Sequence, residues 1–200
     1  MTKLNLDKNN LRKTFKEKRS NLDKKQVETF SKQISENFIK NLLPQIFQNN
    51  NSLIFSLYIS ANKEVKTQFI QEHFINNKIS FCFPKIVDKN SSLEFVLYQE
   101  NQELTFNKYF TSIKEPQEGI KTIPNVIILP LLAFDSSLSR LGMGGGFFDR
   151  TISSLKKQNN KIITIGLAYD FQRFYDSLPI DNTDQKLDFI VTQQTIFSSN

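Results

Sequence analysis

A cluster of glycines follows the most apolar segment of this sequence. Four of the six glycines of the 200-residue chain lie within residues 142–146, shortly after the apolar run 125–132 (NVIILPLL) and directly before a helical pattern over 147–158. In α/β proteins, ligands bind beyond the carboxyl ends of buried strands. Glycine lets the backbone approach a ligand with its N–H groups turned inward, and the N-terminus of the following helix adds partial positive charge. The segment therefore predicts an anion cradle, most naturally for phosphate.

The rest of the chain alternates short apolar runs with helical patterns. The strand candidates are residues 52–59, 79–83, 93–98, 125–132, 161–168 and 188–192, and the helix candidates are two helices within residues 1–44, then 65–75 and 147–158. Continuous apolar strands are typical of a largely parallel sheet that helices cover on both faces. We therefore expect one α/β domain over residues 1–200, a three-layer sandwich with a mostly parallel central sheet, a helical N-terminus and a small antiparallel hairpin.

Two boundaries follow from local composition. Pro44 is expected to end the second helix, whose cap is Asn21 or Asp23. The polar segment 101–122 is expected to be a surface loop that could fold over a site.

Cysteine and histidine are too rare for several kinds of site. The single Cys82 excludes an intrachain disulfide and a cysteine-based zinc cluster, and the single His73 excludes a multi-histidine metal site and disfavours a Ser-His-Asp triad. No apolar run approaches the roughly 20 residues that span a bilayer, and the opening residues lack the apolar stretch of a signal peptide. We expect a cytoplasmic protein that binds no membrane.

The net charge of +6 is confined to residues 1–40, which hold 11 Lys and Arg against 5 Asp and Glu. A nucleic acid and a polyphosphate nucleotide are both possible partners for such a segment. Lys8 and Arg12 are four residues apart and therefore share one helix face. Solvated side chains are the expectation for most of the remaining cations of this helix: Lys13, Lys16, Lys18 and Arg19.

Three charged residues, two beside the glycines and one shortly before the last predicted strand, are candidates for phosphate chemistry. Asp149, in the first turn of the predicted helix, would repel a phosphate unless a cation lay between them, which indicates Mg²⁺. Asp184 is a candidate second carboxylate, and Arg140 could hold a transferring phosphoryl group. Each also has an ordinary explanation, as a helix-dipole charge, a turn residue and a solvated arginine respectively.

Several motifs together resemble one family. Residues 130–135 (PLLAFD) and 140–149 (RLGMGGGFFD) resemble the signature of the 5-formyltetrahydrofolate cyclo-ligases, also called 5,10-methenyltetrahydrofolate synthetases. Further similar segments occur in the expected order: 8–12 (KNNLR), 58–59 with 64–67, 115–116, 166–168 with Gln172, and 178–179 with 184–188. The likeness covers nearly the whole chain, and its central motif is the specific one.

The resemblance implies an ATP- and Mg²⁺-dependent ring closure. ATP would phosphorylate the formyl oxygen of 5-formyltetrahydrofolate, and N10 would then displace phosphate to give 5,10-methenyltetrahydrofolate and ADP. Phosphoryl transfer needs positioning and charge neutralisation more than a protein nucleophile. The expected protein is a monomer that binds no nucleic acid, with polyglutamylated folate as one candidate substrate.

The resemblance also assigns residues. ATP would contact Lys8, Asn9, Asn10, Leu11, Arg12, Arg140, Leu141, Gly142, Met143, Gly144, Gly145, Gly146, Phe147 and Phe148. The folate would contact Ile59, Glu64, Met143, Gly144, Gly145, Gly146 and Phe147. Arg140 and Asp149 would be catalytic, and Asp149 and Asp184 would bind Mg²⁺.

Two other functions use the same features. A nucleic-acid-binding module would explain the basic N-terminal helices, although the aromatic residues are spaced as core residues. An enzyme acting on a sugar phosphate or an acyl carrier would use the same glycine cradle without ATP.

Overall fold

The computed structural model describes residues 7–48, 52–158 and 161–199. Residues 1–6, on which the expectation that the chain has no signal peptide depends, lie outside the described residues. None of the helices in these three ranges combines the length and apolarity needed to cross a membrane.

Two helices begin the described chain, as the sequence predicts. They are α1 (Lys8–Ser20) and α2 (Lys24–Asn37). The Asp23 carboxylate caps α2 by accepting the backbone N–H of Gln26, and the Gln26 side chain accepts the backbone N–H of Asp23. This reciprocal pair fixes where the second helix starts.

The prediction that Pro44 ends the second helix is wrong. The chain continues as a π-helical turn (Phe38–Leu42) and then as α3 (Leu43–Phe47). Pro44 lies in the first turn of α3, where a residue without an N–H leaves no hydrogen bond unmade. Two further helices are α4 (Gln68–Asn76) and α5 (Phe147–Lys157).

The described residues form eleven short strands. In chain order they are β1 (Phe55–Ser56), β2 (Phe81–Lys85), β3 (Glu94–Leu97), β4 (Leu104–Phe106), β5 (Lys114–Pro116), β6 (Val126–Pro130), β7 (Ala133–Phe134), β8 (Arg140–Leu141), β9 (Ile163–Leu167), β10 (Phe189–Val191) and β11 (Ile196–Ser198). Seven of them make one sheet in the order β11-β10-β9-β6-β1-β2-β3. The inner pairings are parallel, and β3 and β11 join the two edges antiparallel. The predicted mixed α/β fold with a mostly parallel sheet is confirmed.

The central strand β6 contributes to both cores of the molecule. Val126 and Ile128 pack in a cluster with residues of α2 and α4, whereas Ile127 and Leu129 pack with Ile152 of α5 on the other face. All four strand side chains are fully buried. A strand covered on both faces has no polar side, which explains its continuous apolar sequence.

The segment predicted to be a surface loop, 101–122, contains the antiparallel pair β4–β5. A second small pair, β7–β8, immediately precedes the glycine cluster. The buried Asp135 fixes the turn between β7 and β8, because its Oδ1 accepts the N–H groups of Ser137 and Ser139. This turn places Arg140 next to the glycines.

Candidate active site

A cleft of about 1210 Å³ opens at the carboxyl ends of β1, β2 and β6. Its walls come from α1 and from residues 58–64, 140–150 and 181–185. Residues 110–115, from the segment predicted to be a loop, line another side. The cleft is therefore at the position that the sequence predicts for an anion cradle.

The glycine loop, residues 142–146, has a backbone that other residues rarely adopt. The φ angles of Gly144 and Gly146 are 104° and 66°. Gly146 is the N-cap of α5, and it has no side chain to accept the first N–H groups of that helix. Free N–H groups at a helix N-terminus favour an anion through hydrogen bonding and the helix dipole.

The basic face of α1 lies directly on the glycine loop. Arg12 Nε donates to the carbonyl oxygen of Gly142 at 3.1 Å, and its Nη1 donates to Asn9 Oδ1 at 2.9 Å. Lys8 and Arg12 line the cleft together with the loop. The structure thus brings together the two segments that the resemblance assigns to the nucleotide.

Arg140 and Asp149 form a partly buried ion pair beside the loop. Arg140 Nη2 donates to Asp149 Oδ1 at 2.9 Å, and the same oxygen accepts the backbone N–H of Gln185 at 2.9 Å. Arg140 Nη1 also donates to the Gln185 carbonyl. The arginine side chain is 4% exposed, so the ordinary explanation of Arg140 as a solvated loop arginine does not hold.

Lys8 links α1 to the late acidic segment. Its Nζ is 2.6 Å from Asp181 Oδ2 and 2.5 Å from Asp184 Oδ2. Burial tends to raise the pKa of Asp184, but the hydrogen bonds from Lys8 and from the Asp181 N–H, with the lysine charge, lower this pKa overall. Burial likewise tends to lower the pKa of Lys8, and the two aspartates raise it overall.

The two carboxylates assigned to Mg²⁺ suit that ion. Both line the cleft, and each uses one oxygen within the described protein: the hydrogen bonds to Asp149 end on Oδ1, and those to Asp184 end on Oδ2. The described residues contain no group of three or more His, Cys, Asp or Glu side chains that would enclose a metal. Mg²⁺ typically binds through one or two carboxylates, waters and phosphate oxygens, so this donor set fits it.

The Glu64 segment, residues 58–65, forms another wall of the cleft. Glu64 Oε2 accepts the backbone N–H of Ala61 at 3.0 Å, and the side chain is 12% exposed. Burial raises the pKa of Glu64, while the Ala61 N–H and the charge of Arg19 lower it by less. Ile59 also lines the cleft, so the two residues assigned to the folate alone lie on one wall.

Arg19 is a functional candidate that the sequence reasoning missed. It is 3% exposed, contrary to the expectation of a solvated side chain, and its Nη1 is 3.7 Å from Glu64 Oε1. The spacing of Arg19 could have indicated its burial. It follows Leu11 and Phe15 at intervals of four residues on one helix face, and all three side chains are buried. An arginine on an apolar helix face needs a buried partner.

Lys63 anchors the Glu64 segment to the end of α1. Its Nζ donates to the carbonyl oxygens of Ser20 and Leu22, at 2.5 and 2.6 Å. These acceptors lie at the end of the helix and just beyond it, where carbonyl groups lack helical partners. The polar sequence before Glu64 therefore has a structural role in this chain.

The remaining assigned residues lie at different depths. Met143 is 46% exposed, Phe147 packs edge-on against Phe110, and Phe148 is partly buried on the α5 side. Leu11 and Leu141 belong to a buried cluster. Asn10 is exposed. Leu11 therefore acts on the site by packing α1 in place.

Phe147 restricts its own neighbour in the loop. A Cβ on Gly145 would lie 2.8 Å from the Phe147 ring, which is too close for any side chain without a shift of that ring. Gly145 and Phe147 therefore fit each other in this chain.

Comparison with known proteins adds independent evidence. Residues 5–193 match the model of the 5-formyltetrahydrofolate cyclo-ligase family. A 5-formyltetrahydrofolate cyclo-ligase of Mycoplasma genitalium is 31% identical over 190 residues, covering 93% of this chain and 98% of the relative. The enzyme of the same name from Escherichia coli is 35% identical over 148 residues, covering 71% of this chain and 79% of the relative.

Two solved structures share the fold. The 5,10-methenyltetrahydrofolate synthetase of Mycoplasma pneumoniae superimposes with a TM-score of 0.72 at 25% identity, covering 94% of this chain and 99% of the other. The Aquifex aeolicus 5,10-methenyltetrahydrofolate synthetase gives a TM-score of 0.76 at 25% identity, with coverages of 96% and 92%.

Proposed function

The chain belongs to the 5-formyltetrahydrofolate cyclo-ligase family, and we propose that it closes the ring of 5-formyltetrahydrofolate with ATP and Mg²⁺ in the cleft described above. The observation that carries the ATP part is the junction of α1 with the glycine loop: Lys8 and Arg12 stand beside a helix N-terminus with free N–H groups. A triphosphate needs both kinds of partner. The active unit is the single domain formed by this chain.

The reaction has two balanced steps. The γ-phosphoryl group of ATP passes to the formyl oxygen, which breaks the bond between the γ-phosphorus and its bridging oxygen and releases ADP. N10 then attacks the formyl carbon, the phosphate leaves with the former formyl oxygen, and the N10 proton goes to solvent. The products are 5,10-methenyltetrahydrofolate, ADP and phosphate.

Each end of the cleft has a distinct task in this proposal. The N–H groups of the glycine loop and the side chains of Lys8 and Arg12 hold the phosphates. Arg140 neutralises negative charge on the phosphoryl group during its transfer, and Asp149 orients Arg140. Glu64 accepts N–H groups of the pteridine and so fixes the folate.

Asp149 and Asp184 would hold Mg²⁺ through their unused oxygens. The ion would neutralise phosphate charge and orient the phosphate chain. Within the chain itself, Lys8 and Arg140 balance the two carboxylates until a ligand binds.

The test is formation of the product. Purified protein with 5-formyltetrahydrofolate, ATP and MgCl₂ is expected to give the absorbance of methenyltetrahydrofolate and one ADP for each molecule formed. Omitting ATP, or chelating Mg²⁺ with EDTA, is expected to stop the reaction. No product at saturating concentrations of all three components would refute the proposal.

The basic N-terminal segment does not require a nucleic acid. Lys8, Arg12 and Arg19 all make contacts within the protein, to Asp184, Gly142 and Glu64. We propose that the segment serves the cleft. Salt-sensitive retardation of DNA or RNA by the protein would contradict this part of the proposal.

A further inference from the structure

Arg19 lies behind the wall of the cleft, and the proposed reaction does not use it. Its Nη1 is 3.7 Å from Glu64 Oε1, and its Nη2 is 3.8 Å from the sulfur of Met143. Both of these residues line the cleft. One buried side chain therefore touches the Glu64 segment and the glycine loop.

Burial of a guanidinium group is costly unless a charge or several hydrogen bonds compensate it. The titratable groups that face Glu64 are Arg19 from α1, Tyr58 after β1 and Tyr169 after β9. Burial raises the pKa of both tyrosines, that of Tyr169 to about 12, so both remain neutral phenols near pH 7. Of these three groups, Arg19 is therefore the one that carries a charge, and its charge is positive.

The geometry leaves one oxygen of Glu64 available for a ligand. Oε2 accepts the Ala61 N–H at 3.0 Å. Oε1 is near Arg19, but 3.7 Å is longer than a hydrogen bond. The arginine thus supplies charge to this oxygen without taking the place of an N–H donor in the cleft.

We propose that Arg19 is a positioning residue that keeps Glu64 ionised and turned into the cleft, so that Glu64 accepts N–H groups of the pteridine. The proposal rests on the proposed function of the cleft. Arg19 acts through Glu64 and does not touch the folate itself.

The ionisation state of Glu64 matters because a protonated carboxyl group carries an O–H donor where the ligand needs an acceptor. Burial already raises the pKa of Glu64, and Arg19 opposes this increase. Removing Arg19 raises this pKa further. Folate binding then weakens at low pH and recovers as the pH rises.

The experiment is titration calorimetry of 5-formyltetrahydrofolate, without ATP, between about pH 5 and pH 8. Arg19→Met keeps an unbranched apolar side chain and removes the charge. The expected result is a dissociation constant raised by about tenfold near pH 6, with a smaller increase at pH 8, since the lost interaction is a hydrogen bond to a charged group. Arg19→Lys is expected to restore the wild-type pH dependence.

A structural role alone would weaken binding by the same factor at every pH. A pH-independent loss in Arg19→Met, or wild-type binding throughout, would overturn the inference. MgATP binding, followed by thermal shift, is the matched control and is expected to remain within about twofold of wild type, because the contact of Arg19 with the glycine loop is a weak one, to the Met143 sulfur at 3.8 Å.

A second pair of variants keeps the test decisive if Arg19→Met does not fold. Glu64→Gln removes the ionisable group and Glu64→Gln/Arg19→Met removes both charges, so neither the acid nor the arginine remains unpaired in the double variant. The two are expected to bind folate equally within about threefold, and a tenfold further loss in the double variant would refute action through Glu64. Inactive wild-type protein would refute the proposed function, whereas active wild-type protein with unaltered Arg19 variants would refute only this inference.

Discussion

The glycine loop and the Glu64 segment face the same cleft but are held in different ways. Near the loop, Lys8 pairs with Asp184 and Arg140 pairs with Asp149, and the side chains of Lys8, Asp184 and Asp149 are 18–25% exposed. In the Glu64 segment the anchors are contacts to the backbone: Lys63 to the end of α1, and the buried Tyr58 hydroxyl to the Val65 carbonyl at 2.7 Å.

The difference suits two kinds of ligand. Ion pairs between partly exposed side chains contribute little to stability and exchange partners readily. The charged side chains beside the glycine loop, which form the loop end of the cleft, can therefore bind a charged ligand in place of one another. The backbone contacts of the Glu64 segment hold Glu64 in place before the ligand binds, which suits a hydrogen-bond acceptor for the neutral pteridine ring. We expect substitutions at the loop end to change catalysis most, and substitutions in the Glu64 segment to change folate affinity.

Asp149→Asn should have the largest effect. It removes the charge that orients Arg140 and one carboxylate proposed for Mg²⁺, so kcat is expected to fall by at least about a hundredfold. The amide still occupies the same volume, and the fold should remain intact by circular dichroism. Formation of methenyltetrahydrofolate, followed by absorbance, provides the measurement.

The matched control for Asp149 is Glu94→Gln. Glu94, on β3, pairs with the exposed Lys121, so this variant makes the same change of charge at a residue outside the lining of the cleft. Its kcat should equal that of the wild type. If Asp149→Asn retained more than about a tenth of wild-type kcat, Asp149 would have neither proposed role.

Lys8→Met should weaken ATP binding beside the glycine loop and leave folate binding at the Glu64 segment unchanged. It removes a cation from the phosphate site, and the KM for ATP is expected to rise by about tenfold because a charge-assisted contact is lost. The folate dissociation constant should change by less than about twofold, since Lys8 contacts the Asp181–Asp184 segment and not Glu64. Steady-state kinetics with each substrate varied, together with folate calorimetry, would measure both effects.

An equal rise in KM for ATP and folate would contradict this separation. It would show that the cleft closes around both ligands as one unit.

The glycine loop could be found from sequence because its information is local. A buried strand, a glycine cluster and a helix with an acid in its first turn lie within residues 125–149. The mostly parallel direction of the central strands followed from their continuous apolar sequences, whereas their order in the sheet was not predicted. Short pairings such as β4–β5 could not be predicted, because the strand residues 104–106 are only three and are all exposed, too short a run for a periodic pattern to separate a strand from a loop.

The Glu64 site could not be built from sequence because its members are far apart. Arg19, Glu64 and Tyr169 meet only after α1, β1 and β9 have packed together. A lysine or arginine on a helix is usually solvated, and only the tertiary fold shows that Arg19 is not. Glu64 itself was found through family resemblance and not through its local sequence.

Gly144→Ala should reduce stability by a modest amount. The φ angle of Gly144 is 104°, which an alanine adopts only with strain, and the cost is about 1–3 kcal/mol. For a chain of this size the melting temperature is expected to fall by about 2–4 °C for each kcal/mol. Differential scanning calorimetry without ligands would measure the change.

Gly142→Ala is the comparison variant for Gly144. A Cβ on Gly142 would meet no atom within 4 Å, and its φ lies outside the left-handed range. Its melting temperature should fall less than that of Gly144→Ala. The reverse order would mean that the loop has another conformation when no ligand is bound.

The Lys8–Asp184 pair should give the smallest effect, as a pH dependence of stability. The pKa of Asp184 is lowered below its ordinary value of 3.8, so its contribution is present above that pH and is lost as the pH falls through the lowered value. The pKa of Lys8 is raised above 10.5, so its contribution is present below that pH and is lost as the pH rises through the raised value. The difference in melting temperature between the wild type and Lys8→Met should therefore be constant near neutral pH and decrease at both extremes. A difference that did not change with pH would mean that Lys8 stabilises the fold through its apolar stem, and the loop end would then be as fixed as the Glu64 segment.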